Sequence, residues 1–254
     1  MIALIDGDIV AFRCATSMPE DGTEGLLRYR IDEMMDTILT EVNADAFKVF
    51  LTGTLNFRYK IYPEYKAHRP KEKPKWVLEA KEYLTQVFNA ETAEGQEADD
   101  LLGINQTKDS IICSIDKDLL QVPGKHYNFV RKEFYRITEY ESHYNFYKQC
   151  LTGDRTDNIK GIDGIGDKKA QKILQGLETE LEMFNAVREA YSFDNEFLIN
   201  ARGLWIRRKP NEDWKDRFEW LVKQNEDFIS ESEGTEITTD SQGQLTEDVP
   251  RTNE

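Results

Sequence analysis

Residues 110–118 read Ser-Ile-Ile-Cys-Ser-Ile-Asp-Lys-Asp. A short unbroken apolar run is typical of a parallel strand covered on both faces. In sheets built from such strands, ligands bind beyond the carboxyl ends, where Asp116 and Asp118 fall here. Two other stretches read alike: Ile-Ala-Leu-Ile at 2–5, ending at Asp6, and Ala-Phe-Lys-Val-Phe-Leu at 46–51. Helical patterns lie between them. Leu27, Ile31, Met34, Met35, Ile38, Leu39 and Val42 recur at close to 3.6 residues over 26–42. Val77, Leu78, Leu84, Val87 and Phe88 do so over 75–88. The alternation predicts an α/β domain with a mainly parallel central sheet flanked by helices.

Acids gather where that sheet would open. Glu97-Ala98-Asp99-Asp100 precedes Leu101-Leu102, and on a helix Glu97 and Asp100 share a face with Asp99 beside them. Asp154 and Asp157 flank Arg155-Thr156 further on. Carboxylates this close repel one another, and burying them is costly unless a cation compensates. A single strand-end Asp can equally serve as a helix N-cap, and a short acidic run can be a solvated surface. Taken together, Asp6, Glu97, Asp99, Asp100, Asp116, Asp118, Asp154 and Asp157 make an oxygen ligand set for two divalent ions. Paired ions of that kind stabilise the attacking and leaving oxygens of phosphodiester cleavage.

After residue 138 the pattern changes. Thr138 and Glu141 form a capping box ahead of an aromatic-rich helix with Tyr144, Phe146, Tyr147 and Leu151. Gly161-Ile162-Asp163-Gly164-Ile165-Gly166 then precedes a helix from about Asp167. Glycines permit positive φ and close backbone approach, and the helix start offers free N–H groups to a phosphate, with Lys168 and Lys169 adding charge. Such contacts position nucleic acid without reading sequence. Three regions are expected: 1–145 as the α/β domain, 146–228 as a helical region, and 229–254 as an acidic, disordered tail.

The chain has 254 residues, 39% of them hydrophobic, and a net charge of −15. No stretch approaches the roughly 20 apolar residues of a membrane span, and the first residues carry no signal-peptide pattern. Cys14, Cys113 and Cys150 are scattered, as are His68, His126 and His143, which argues against a zinc site and suits a reducing cytoplasm. The negative sum conceals a distribution. Residues 226–254 carry nine acids and one base, whereas residues 58–81 hold eight Lys or Arg against three acids. That basic stretch reads as a solvated helix face or as a nucleic-acid contact. No heptad or apolar patch signals an oligomer, so a monomer is expected.

An ordered set of motifs carries a resemblance. It comprises Leu4-Ile5-Asp6-Gly7, Phe57-Arg58, Tyr62-Pro63-x-Tyr65-Lys66-x-x-Arg69, Glu97-Ala98-Asp99-Asp100, Ser114-Ile115-Asp116-Lys117-Asp118, Gly153-Asp154-x-x-Asp157-Asn158-Ile159 and Gly161-x-x-Gly164-Ile165-Gly166. Over residues 4–170 the chain resembles the flap endonuclease and 5′–3′ exonuclease superfamily, especially its compact bacteriophage members. The resemblance implies a PIN-like domain with an all-α helix-three-turn-helix module. It implies a 5′–3′ exonuclease, with flap endonuclease activity beside it, acting on double-stranded DNA or RNA–DNA hybrid in phage replication or recombination within the host cytoplasm.

Residue by residue, it places Asp6, Glu97, Asp99, Asp100 and Asp116 on metal positions. Asp118, Asp154 and Asp157 fall on positions serving a second ion, Mg²⁺ or Mn²⁺. Lys66 and Arg69 match basic residues near the scissile phosphate. Arg58 and Tyr65 fall among the DNA-contacting positions, Tyr65 as a stacking aromatic. Gly161, Gly164 and Gly166, with Lys168 and Lys169, match a duplex grip assisted by K⁺. The family usually has one more Asp after the second strand, where this chain reads Leu51-Thr52-Gly53-Thr54, with Thr52 able to ligate through its hydroxyl or through a water. Only 27 residues separate Arg69 from Glu97, so the helical arch of the family must be short. This favours exonucleolysis over threading of a flap. The alternatives are a DNA-structure-binding protein with weakened catalysis and a small RNase of the PIN type. A replication partner for the acidic tail stays unnamed.

Overall fold

The computed structural model describes residues 1–70 and 72–233. Its centre is a six-stranded sheet of β1 (Ile2–Asp6), β2 (Ala46–Thr52), β3 (Glu91–Ala93), β4 (Ser110–Cys113), β5 (Gly124–Asn128) and β6 (Glu133–Ile137). The order is β3-β2-β1-β4-β5-β6, parallel throughout except for the β5–β6 pair. β1 and β4 are the central apolar runs expected, buried on both faces because helices cover both. Since the strands run the same way, Asp6, Thr52, Ala93 and Ser114 arrive at one edge. That edge carries the site.

On one side lie α1 (Gly7–Thr16), α2 (Glu24–Glu41) and α4 (Val77–Phe88), whose Val10, Leu27, Ile31, Met35, Ala80 and Leu84 join Ile5, Val49 and Ile111 in one core. A smaller core on the opposite face gathers Leu4, Phe50 and Ile112 against Leu102 of α5 (Ala98–Asn105) and against Ile206. Short α3 (Arg58–Ile61) follows β2. The arch of the family has no helical counterpart among the described residues. Only residues 70–76 link Arg69 to α4, and α4 itself is sunk into the core.

The helical region contains α6 (Glu139–Thr152), a ribbon of β7 (Gly153–Asp154) and β8 (Ile159–Lys160), then α7 (Asp167–Leu174), α8 (Glu180–Ala190), α9 (Asp194–Leu204) and α10 (Trp214–Glu233). Its core is aromatic: Phe146, Tyr147, Phe184, Phe197, Trp205 and Trp214 pack together. The Thr138–Glu141 capping box opens α6 as its sequence predicts. Two expected boundaries shift. α6 runs unbroken through 145–146, so the change of architecture comes at Thr138, not after 145. α10 continues to Glu233, so residues 229–233 extend a helix, and residues 234–254 of the expected tail lie outside the described residues.

Candidate active site at the sheet edge

The acidic residues at this edge sort into two kinds. Asp100 is completely buried, and its two oxygens accept four donors. Arg58 gives Nη1 at 2.6 Å and Nη2 at 2.9 Å, and the backbone N–H groups of Glu97 (3.0 Å) and Arg207 (3.1 Å) supply the rest. Those four use a carboxylate's full accepting capacity. Burial pushes Asp100 up, but Arg58 outweighs it and holds the group below the usual carboxylate range. Asp100 is therefore a structural acid, and its expected place among the metal ligands is corrected. Arg58 is corrected with it. Its Nε donates to the Gly203 carbonyl (2.9 Å) and its Nη2 to that of Trp205 (2.6 Å), so with the two bonds to Asp100 four of its five N–H groups are taken inside the protein, and the side chain is buried.

Glu97, Asp154 and Asp157 are also supplied with partners. Glu97 is ion-paired with Lys66 and lies 2.7 Å from the Tyr65 hydroxyl, and it titrates low because Arg58 and Lys66 overcome its burial. Asp157 lies 2.6 Å from the same hydroxyl and 2.8 Å from Arg69. Asp154 accepts the Thr156 (2.6 Å) and Asp157 (3.1 Å) backbone N–H groups and the Gln149 amide (2.9 Å). Burial raises Asp154, but Lys117 and these bonds bring it below the ordinary value.

Tyr65 is buried at the junction, so its expected role as a base-stacking surface is corrected: it ties Glu97 to Asp157 instead. The loop around it is sewn to the 154–158 loop through Lys66 N–H to the Asp157 carbonyl (2.9 Å) and the Asn158 amide to the Glu64 carbonyl (2.8 Å).

Asp6, Asp99, Asp116 and Asp118 are the second kind. Asp6 caps α1 through the Ile9 N–H (3.1 Å) and accepts the Ser114 hydroxyl (2.6 Å). Burial and then the Asp8 charge still raise it to about 7. Asp99 accepts no hydrogen bond among the described residues, and burial with the charges of Asp6, Asp116 and Glu97 drives it well above the carboxylate range. Asp118 is pushed to about 7 by burial and by Asp116, Asp154 and Asp157. Asp116 thus stands between two groups, repelling Asp6 and Asp99 on one side and Asp118 on the other.

Among the described residues no three His, Cys, Asp or Glu side chains form a ready cage for an ion. With only each other for company, the carboxylates turn towards Ser114, Gln149 and backbone N–H groups. The donor chemistry nonetheless fits a hard divalent cation: clustered oxygen donors, short of positive charge, at the mouth of a parallel sheet.

Several participants escape sequence reading. The Thr52 hydroxyl accepts the Ala98 N–H (2.9 Å) at the start of α5. Asp8 occupies that corner, accepting the Thr52 N–H (3.0 Å) and ion-paired with Lys81. Gln149 bridges Asp118 and Asp154 at 2.9 Å each. A carboxylate two residues past Asp6 was a visible signal; Gln149 and Lys81 carry none. The glycine turn stands apart from the acids, joined to them by the ribbon. Gly153 (φ 71°) and Gly161 press together so that a methyl on either would overlap the other's backbone. Gly164 has φ 76°, and Gly166 precedes α7, where Lys168 and Lys169 are exposed.

Comparison with known proteins bears on the family and the fold. The family of 5′–3′ exonuclease N-terminal, resolvase-like domains matches residues 1–148. DNA polymerase I of Chloroflexus aurantiacus is 28% identical over 226 residues, 75% of this chain and 24% of that protein. A 5′–3′ exonuclease of Buchnera aphidicola is 28% identical over 184 residues, 65% of this chain and 63% of that protein. The chain thus spans about a quarter of the polymerase's length and under two thirds of the exonuclease's. The bacteriophage T5 flap endonuclease, solved as a pseudo-enzyme–product complex with DNA and metal ions, superposes with a TM-score of 0.63 at 18% identity, covering 91% of this chain and 99% of that one. The T5 5′-exonuclease with bound zinc ions gives 0.62 at 19% identity, covering 87% and 91%. At that identity the likeness is one of fold.

Proposed function

We propose, from the premise that this chain belongs to the 5′–3′ exonuclease family, that it hydrolyses phosphodiester bonds of duplex DNA from 5′ ends with divalent cations at the sheet edge. The observation that supports this most is the set of Asp6, Asp99, Asp116 and Asp118, mutually repelling acids whose charge the protein's own cations offset only in part. Asp6, Asp99 and Asp116 would hold one Mg²⁺ or Mn²⁺, and Asp116 with Asp118, backed by Asp154 and Asp157, a second. When bound, such cations make hydroxide available near neutral pH and neutralise charge on the scissile phosphate.

The chain's own residues do the rest. Lys66, held by Glu97 and 3.6 Å from Asp157, keeps its proton because those two acids outweigh its burial. It offers fixed positive charge where phosphate charge develops. Arg69, more exposed, steers the incoming backbone. Tyr65 keeps its phenolic proton, since burial and Glu97 push its pKa well up, and donates that single proton to one of the two acids, Glu97 or Asp157, that orient Lys66. The turn at 161–166 and the start of α7, with K⁺ as co-ion, would hold the duplex behind the cut. The shortness of the link from Arg69 to α4, in which described residues 72–76 are not helical, favours action at a 5′ end over threading.

The test is cleavage of 5′-labelled nicked duplex, blunt duplex, 5′ flap and RNA–DNA hybrid, each in Mg²⁺ and in EDTA, with Asp116→Ala alongside. Nucleotides or short products, only with metal and only from wild type, are expected. Duplex binding without cleavage in Mg²⁺ or Mn²⁺ would instead establish the DNA-structure-binding reading, for which the missing acid at Thr52 is the motive.

A further inference from the structure

Residues 55–59 alternate in direction. Asn56 and Arg58 point inward, at 7% and 2% exposure, whereas Leu55 and Tyr59 are 69% and 48% exposed. The inward pair fastens the segment to the site. Asn56 Oδ1 accepts the Arg58 N–H (3.0 Å), and the Phe57 N–H donates to the Gly95 carbonyl (2.9 Å). Arg58 grips Asp100 of α5 and the carbonyls of Gly203 and Trp205. The Phe57 ring lies between the guanidiniums of Arg58 (4.6 Å) and Arg207 (3.9 Å). What this frame presents to solvent is an aromatic ring, a leucine and Lys60.

We infer that Tyr59, with Leu55 beside it, is a stacking platform for the nucleobase at the 5′-terminal end of the duplex, next to the phosphate that is cut. The inference rests on the nuclease reading above. Tyr59 meets Tyr65 at 5.8 Å between ring centroids, with planes at 68°, and the Tyr65 hydroxyl contacts Glu97 and Asp157. The platform is therefore one ring away from the acidic edge. Exposed apolar surface is kept where a partner covers it. The charge around this patch selects the partner. Exposed Lys60 adjoins it, and Lys66 and Arg69 follow within the same segment. A polyanion with a flat apolar face fits both features, and a nucleobase on its phosphate chain is one. The buried bolts fix the ring before DNA arrives, so stacking orders little that is not already ordered. Tyr65, the aromatic expected in this role, is too buried to take it.

The test uses the full chain and a 5′-recessed duplex carrying 2-aminopurine at the 5′-terminal position, in Ca²⁺ and in EDTA, with uncut DNA verified. Wild type should change the probe's fluorescence on binding and leave a probe placed deep in the duplex unaltered. Tyr59→Ala should abolish that change and weaken binding about five-fold or more, the low end of one lost base–aromatic stack. Tyr59→Trp should keep both, and keeps the question decidable if Tyr59→Ala fails to fold. Retained fluorescence change and affinity in folded Tyr59→Ala, or loss of both in folded Tyr59→Trp, would overturn the platform. Wild-type binding with an unchanged terminal probe would overturn it too, and leave the nuclease reading standing. No duplex binding by wild type would overturn the nuclease reading, and the platform with it.

Discussion

The two ends of one short helix start treat acids in opposite ways. Asp100 is surrounded by donors and an arginine, while Asp99, its neighbour in sequence, faces the charges of Asp6, Asp116 and Glu97, which Lys66 offsets only in part. Beyond them the division continues. Glu97, Asp154 and Asp157 have Lys66, Tyr65, Arg69 and Gln149, whereas Asp6, Asp116 and Asp118 have little besides a serine, an amide and the peptide backbone. A buried carboxylate with its own cation contributes to the fold. One without it is an expense the fold bears elsewhere, and a vacancy in charge that an external cation relieves. The same residue type in adjacent positions thus serves architecture and chemistry.

The division is open to direct attack. Asp100→Asn should cause the largest change, because Arg58 would remain buried without its counter-charge. A loss of about 3–5 kcal/mol is expected for breaking such a pair, or roughly 10 °C in Tm for a chain of this size. A shift below about 2 °C on thermal unfolding would place Asp100 with the acids offset only in part. Asp99→Asn should do the reverse. Cleavage of nicked duplex should fall about a hundred-fold or more, the scale of losing one electrostatic stabiliser, while Tm stays level or rises as a repelled charge disappears. A marked fall in Tm would erase the distinction.

Acidity offers a third approach. The metal-free carboxyls of Asp6 and Asp118 stand at about 7, above their ordinary value of 3.8. Protonated below that point, they must release protons to hold a cation, so stabilisation by Mg²⁺ should be greater at pH 8 than at pH 5.5. Each such group costs up to about 1.4 kcal/mol per pH unit below its pKa. The same shift means that, for these two groups taken alone, the metal-free fold loses stability as pH climbs from about 4 towards 7. Equal Mg²⁺-induced Tm shifts at both pH values would contradict the assignment. The smallest change belongs to the far side of the ribbon. Lys168→Ala or Lys169→Ala should weaken duplex binding alike for all sequences and lower the salt slope by about one each, with cleavage per bound molecule unaffected. A drop in turnover at saturating DNA would tie these lysines to the acidic edge.

Much of this could be read from the chain alone, for physical reasons. The central strands announce themselves because burial on both faces leaves no polar interruption, as in Ile2–Ile5 and Ser110–Cys113. The acids stood out because they occur at strand ends and helix starts. What could not be read was direction. Asp99 and Asp100 are indistinguishable as letters, and the arrival of Arg58 from 42 residues away, with the Glu97 and Arg207 backbone N–H groups, separates them. Tyr65 carried the motif and Tyr59 did not, yet packing buries Tyr65 and exposes Tyr59. β3, β5 and β6 were missed, being short or polar enough that their pairing partners, not their own pattern, define them.

The pressed pair Gly153 and Gly161 has a consequence for inheritance. Each is held in place by the other's backbone, so no second change of side chain can make room for a methyl at either position. Relatives that keep the ribbon should keep both residues together. Two positions that never vary produce no correlated substitutions, so the tightest contact between the acidic loop and the glycine turn would be the one least visible to any search for coevolving pairs.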